Sequence, residues 1–283
     1  VSNLILPLGR TIEQSPLKLG LNNVSNAVYH ADRVFLSSSV IKTVLKSLDQ
    51  YHDEYILGNK KEHSERTLSN FSEGSLVHSM LLEPEVTASE FAFYTGWRKQ
   101  GEEYESFKAA NPGKTIISVP QLERVNNMVR AVQKNKHALD LLSSGVSEQT
   151  LATILHDVPI KVRADKIDAE RGIILDVKTS GYDVDHESVK QTVKDFRYDL
   201  SAALYMEAFS QYYGKPFDFY FIFTSKQQPD CQVYKLGVDS FNAAKRDILK
   251  ATSKFKAAAA SGIWSDSSIS KASELSDYEV LEV

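Results

Sequence analysis

One stretch limits what this chain can become. In VPIKVRADKIDAERGIILDVKT (158–179), apolar and polar residues alternate, pause at a short turn holding Gly172, and resume. Period-two alternation marks a strand, because successive side chains leave opposite faces. Val158, Ile160, Val162 and Ala164 share one face, and Lys161, Arg163 and Asp165 share the other. After the turn, Ile173, Leu175 and Val177 share a face, while Ile174, Asp176 and Lys178 share its opposite. If Ile167 pairs with Ile174 across DAERG (168–172), Asp165 falls opposite Asp176. Directly opposed Cβ atoms lie about 4.5–5.5 Å apart, and like charges there are destabilising. A divalent cation is the simplest offset. Lys178 lies roughly 6.6 Å farther along the same face, within reach of a water on that cation.

Such a set is chemically complete. Oxygen-rich sites suit Mg²⁺ or Mn²⁺. The metal acidifies a bound water and neutralises charge on a phosphate, and the lysine orients or deprotonates the water or stabilises developing charge. The plain alternative is a surface hairpin laced by Asp–Lys and Asp–Arg pairs. Spacing alone does not choose between them.

Elsewhere the pattern is helical before residue 145 and mixed after it. Residues 1–27 are weakly patterned and read as an extended lead. LSSSVIKTVLKSLDQYHDEYI begins a helix capped by Ser37–Ser39, and residues 58–70 read as a polar loop. FSEGSLVHSMLLEPE is a short helix ended by Pro84. Ser118, Pro120 and Gln121 open another helix, with Gly145 as its stop. Strands follow at QTLATILH, VPIKVRADKI, GIILDVKT, FDFYFIFTS and CQVYKLGV. Helices occupy 188–213 and 239–261. The fold class is α/β (α+β): a central mixed sheet flanked by helices. The expected layout is a lead over 1–27, a single domain over 28–265 and a tail over 266–283.

Composition removes several alternatives. One cysteine, Cys231, excludes an internal disulfide framework, a four-cysteine zinc site and a four-cysteine iron–sulfur cluster. A reducing cytoplasm fits. No run of eighteen apolar residues is present, and VSNLILPLGR has neither the basic flank nor the cleavage site of a signal peptide. No membrane role is expected. A net charge of −4 is low for a nucleic-acid binder. It is compatible with a nuclease whose carboxylates hold metal and whose cations line one channel.

The RADKI and ILDVKTS segments resemble the Asp … Asp/Glu-x-Lys core of the PD-(D/E)XK nuclease superfamily, and more closely the RecE-type exonucleases (exonuclease VIII). GSLVHSMLLEPE, YHADRVFLSSSVIKTVL and VKDFRYDLSAALYMEAF are similar to further motifs of that family, in the same order, from about residue 28 to about 265. The resemblance implies a PD-(D/E)XK core and a Mg²⁺-dependent exodeoxyribonuclease, with Mn²⁺ able to substitute. It implies 5′-to-3′ digestion of duplex DNA from its ends, a homo-oligomeric ring, phage or prophage origin, and a single-strand annealing protein as recombination partner. It makes His78, Asp165 and Asp176 metal ligands, joined by the Val177 backbone carbonyl, with Lys178 the catalytic lysine.

One departure stands out. Related nucleases carry Gln-x-x-x-Tyr after the hairpin, whereas this chain has Ser201 and Tyr205. Serine offers a shorter hydroxyl in place of an amide. On a helix over 188–213, Val189, Val193, Phe196, Leu200 and Leu204 form a core stripe. Lys190, Lys194, Arg197, Ser201 and Tyr205 form a polar one, with Arg197, Ser201 and Tyr205 the expected DNA contacts. Glu148 is a candidate acid behind the metal ligands. Lys161 and Arg163 are expected to balance Asp165, and Phe217, Phe219, Phe221 and Phe223 to be sheet core. Competing readings are an endonuclease of the same fold in repair or defence, and a DNA-binding module weakened in catalysis.

Overall fold

The computed structural model describes residues 10–59, 64–96 and 98–266. The expectations for residues 1–9 and 267–283 lie outside them. The strands are β1 (Gly20–Asn22), β2 (Phe91–Tyr94), β3 (Thr115–Ser118), β4 (Val146–Leu155), β5 (Val158–Asp168), β6 (Ile173–Ser180), β7 (Asp218–Ser225) and β8 (Cys231–Lys235). The helices are α1 (Asn26–Ala31), α2 (Ser38–Lys46), α3 (Leu48–Tyr51), α4 (Glu65–Leu82), α5 (Thr87–Glu90), α6 (Glu102–Ala110), α7 (Val119–Lys134), α8 (Lys136–Leu142), α9 (His186–Phe196), α10 (Tyr198–Tyr213) and α11 (Val238–Ser261).

Six strands make one sheet in the order β1-β4-β5-β6-β7-β8, and β2 and β3 form a small parallel ribbon. Within the main sheet only β6 and β7 run parallel. A parallel pair needs a crossover, and α9 and α10 supply it. The main core joins Ile160, Val162, Ile174 and the buried Phe217, Phe219, Phe221 and Phe223 to Ile41, Leu204, Phe209 and Phe255 of α2, α10 and α11. A second core seals the other face, where Val177 and Ile222 meet Leu76 and Val77 of α4 and Val125 and Met128 of α7. β6 is therefore covered on both sides, and α4 lies over it.

Several expectations need correction. Residues 10–27 are part of the domain, because β1 pairs with β4 and Leu17 is buried. The helix predicted from Ser37 breaks at Ser47, whose hydroxyl caps α3, and a turn of π-helix follows over His52–Ile56. α4 begins inside the predicted loop, capped by Ser64. The helix predicted to end at Gly145 breaks at Asn135, whose side chain caps α8. Gly145 itself has φ +94°, and a Cβ there would run into the Ile167 carbonyl, so it serves the close entry into β4. The 188–213 helix is two helices joined at Arg197, which adopts a left-handed φ of +51°.

Candidate metal centre and active site

The predicted hairpin register holds. Ile167 pairs with Ile174, and Lys166 with Leu175. Beyond that point the ladder opens. β5 continues with β4, β6 continues with β7, and the Asp165 side chain spans the gap by accepting the Val177 N–H at 2.7 Å. The Val177 carbonyl meets His78 Nε2 at 2.6 Å, and His78 Nδ1 lies 3.3 Å from the same Asp165 oxygen. α4 therefore brings in the histidine, and the open edge of β6 presents both backbone groups of Val177. Both ring nitrogens of His78 therefore face oxygen atoms, one of Val177 and one of Asp165.

A second break lies on the other side of Asp165. Ser147 pairs with Lys166 and Gln149 with Ala164. Between them stands Glu148, with φ +50°. Register puts it opposite Asp165. One atom each from His78, Glu148 and Asp165 lies within 4.8 Å of the others, a group able to hold a metal ion. Burial, then the neighbouring charge of Asp165, pushes the Glu148 carboxyl up to about 8, although Arg163 pulls the other way. The set supplies one imidazole nitrogen and two carboxylates beside a backbone carbonyl. That donor chemistry fits Mn²⁺ or Mg²⁺.

Asp176 borders this group without joining it here. Its carboxylate lies 2.5 Å from Lys178 Nζ, and the two side chains are 13% and 24% exposed, so both keep some access to solvent. Burial raises the Asp176 pKa against the pull of Lys178. Burial works to deprotonate Lys178, but Asp176 and Asp165 outweigh it and hold the ammonium charged. The Lys178 ammonium also lies 5.1 Å from the centre of the Tyr198 ring.

Neither cation expected to balance Asp165 does so. Lys161 is buried against Asp32 at 3.1 Å. Arg163 donates to Thr150 Oγ1 and to the Val24 carbonyl, 3.8 Å from Glu148. The polar stripe predicted over 190–205 does not form as one face, because the chain turns at Arg197. The Arg197 guanidinium is held by Asp199 at 3.1 Å and Asp247 at 2.6 Å. Ser201 sits half-buried in the first turn of α10. Tyr205 packs on Phe219 and faces Ser38.

Sequence reasoning undervalued Glu148 and missed two neighbours of Lys178. The signal for Glu148 was present, since the Leu155–Val158 hairpin carries Glu148 opposite Asp165 by simple counting. Tyr198 and Lys42 gave none. Lys42 donates to the Phe196 carbonyl at 2.9 Å and lies 5.5 Å from the Tyr198 ring centre.

Comparison with known proteins agrees with this geometry. Residues 37–275 match the family described as "PDDEXK-like domain of unknown function (DUF3799)". The chain belongs to this family. A crystal structure from Eubacterium rectale, of a protein provisionally named an exonuclease, superposes with a TM-score of 0.61. It is 17% identical, and the match covers 85% of this chain and 88% of that one. At that identity the likeness speaks for the fold. No curated protein sequence matches significantly. The domain is thus nuclease-like, with an acidic and histidine-bearing site of the kind its superfamily uses for divalent metal. Among the described residues no helix is long and apolar enough to cross a membrane.

Proposed function

We propose that this chain is a Mg²⁺-dependent exodeoxyribonuclease that degrades linear duplex DNA from its ends, 5′ to 3′, exposing single strands for recombination. The observation that carries the reading is the convergence of His78, Glu148 and Asp165 beside the Asp176–Lys178 pair. His78, Glu148, Asp165 and the Val177 carbonyl would hold the cation, and Asp176 stands ready at its border. A bound Mg²⁺ or Mn²⁺ supplies an acidified water and neutralises phosphate charge. The Lys178 ammonium, beside Asp176, is placed to orient the attacking water and to stabilise charge on the phosphate.

The polarity, a ring-shaped homo-oligomer, a single-strand annealing partner, a phage or prophage source and a bacterial cytoplasmic setting belong to this proposal through the RecE-type resemblance. A digestion time course on linear and covalently closed duplex DNA, with Mg²⁺ and with EDTA, tests it. Loss of linear DNA only with Mg²⁺, with circles spared, supports an end-dependent metal nuclease. Nicking of circles would favour an endonuclease. No digestion in Mg²⁺ or Mn²⁺ would favour a binding module. A monomeric mass by light scattering at micromolar concentration would remove the ring.

A further inference from the structure

We propose that the exposed ring of Phe196 is a stacking platform for the nucleobase next to the scissile phosphate. This rests on the nuclease reading above. Phe196 was expected in the core stripe of a continuous helix. The structure instead leaves it 57% exposed at the last residue of α9. Its ring stacks on Tyr198, with centroids 5.5 Å apart and planes 18° from parallel.

That stack cannot exist in a regular helix. Residues i and i+2 point to different sides of an α-helix and do not meet. The left-handed Arg197 between them brings the two rings together. A non-glycine residue at positive φ carries a conformational cost and persists where its surroundings hold it. Here Asp199 and Asp247 grip the Arg197 guanidinium, while Lys42 holds the Phe196 carbonyl. The inner ring, Tyr198, also rests on the main core beside Phe223, whereas Phe196 lies outside that core and is held by the stack and these braces.

Its position gives the ligand. Tyr198 is the inner ring, with the Lys178 ammonium 5.1 Å and the Lys42 ammonium 5.5 Å from its centre. Phe196 is the outer ring, one aromatic step from the catalytic lysine and open to solvent. A phosphodiester at Lys178 brings its attached nucleoside within reach of that ring. Aromatic side chains hold bases this way without regard to sequence, which suits an enzyme that must accept every terminal nucleotide.

The test begins with metal-dependent digestion of linear duplex DNA by the unaltered protein, then compares Phe196→Ala and Phe196→Trp. Loss of one base stack corresponds to roughly a 5- to 150-fold effect. Phe196→Ala should raise KM for DNA on the order of tenfold with kcat little changed, and Phe196→Trp should restore it. A substrate bearing an abasic residue at the terminal nucleotide should show the same penalty with the unaltered protein. It should show no added penalty with Phe196→Ala. The ring is exposed, so the thermal midpoint should not move. Digestion with equal KM for all three proteins would overturn the platform and leave the nuclease reading intact. A Phe196→Ala protein that falls from oligomer to monomer in light scattering, with no abasic-dependent difference, would overturn it in favour of a contact between copies. No digestion by the unaltered protein would remove the nuclease reading and this inference together.

Discussion

Glu148 and Asp165 stand opposite each other in the register of β4 and β5, at the one interior position where that ladder is interrupted. Two opposed carboxylates repel, and a regular strand pair would not place them there. Glu148 departs to φ +50°, and its carboxyl is driven up to about 8 by burial and then by Asp165. His78 completes the group. We expect Glu148→Gln to weaken Mn²⁺ binding by about tenfold or more, read by calorimetry. The metal-induced rise in thermal midpoint should shrink with it. Unchanged Mn²⁺ affinity would take Glu148 out of the site.

The Asp176–Lys178 contact of 2.5 Å predicts a separation of roles. Lys178→Ala should lower kcat by about 10²–10³-fold, the usual scale for losing one stabilising donor. It should leave Mn²⁺ affinity within a few fold, since no nitrogen of Lys178 belongs to the metal-binding group. Circular dichroism should report an intact fold. A Lys178→Ala protein with full activity would contradict both the role and the nuclease reading.

The β5–β6 register was legible because period-two alternation and a short turn leave few pairings, and Ile167 does face Ile174. The interruptions were not legible, since alternation carries no mark where a ladder opens. Ala164 and Ile167, three residues apart, both reach the main core, so the alternation slips once at Asp165–Lys166. Lys161 and Arg163, which the sequence places on the face of Asp165, take Asp32, Thr150 and the Val24 carbonyl as partners instead. The turn at Arg197 was hidden for a different reason. Arginine has no preference for positive φ, and one of the acids that holds it, Asp247, comes from α11, fifty residues away. A helical stripe drawn through it put Phe196 inside. His78 was legible only through the resemblance, because a lone histidine on an apolar helix is ordinarily core.

Asp32 and Lys161 predict a stability effect remote from catalysis. Their side chains are 0% and 5% exposed, and Lys161 Nζ also donates to the carbonyls of Tyr29 and Asp32. Asp32 in turn accepts from Ser15 Oγ and from the N–H of Val34 and Phe35. Asp32→Ala removes the counter-charge of the buried ammonium, which keeps only its two carbonyl acceptors, and strands the donors of Ser15, Val34 and Phe35; it should cost about 3–5 kcal/mol. Lys161→Met should cost less, because Asp32 keeps its other donors. Urea denaturation of both variants checks the order, and a smaller loss for Asp32→Ala would refute it.

Lys42 predicts a pH dependence. Burial, then the like charge of Lys178, lowers its ammonium to about 8 from an ordinary value of 10.5. Between those values the unfolded chain binds the proton that the folded chain has released. Stability from this group therefore rises with pH across the window. The buried charge burdens the fold below about pH 8, and the burden lifts as pH approaches 10.5. The neutral amine still donates to the Phe196 carbonyl, so the brace on the Arg197 turn survives. Lys42→Met has no such titration. Urea denaturation at pH 7.5 and at pH 10 should show the unaltered protein gaining stability relative to Lys42→Met. A constant difference would mean that Lys42 titrates alike in both states, and a shrinking one would mean that it is held charged by Asp176 and Asp199 more firmly than burial opposes it.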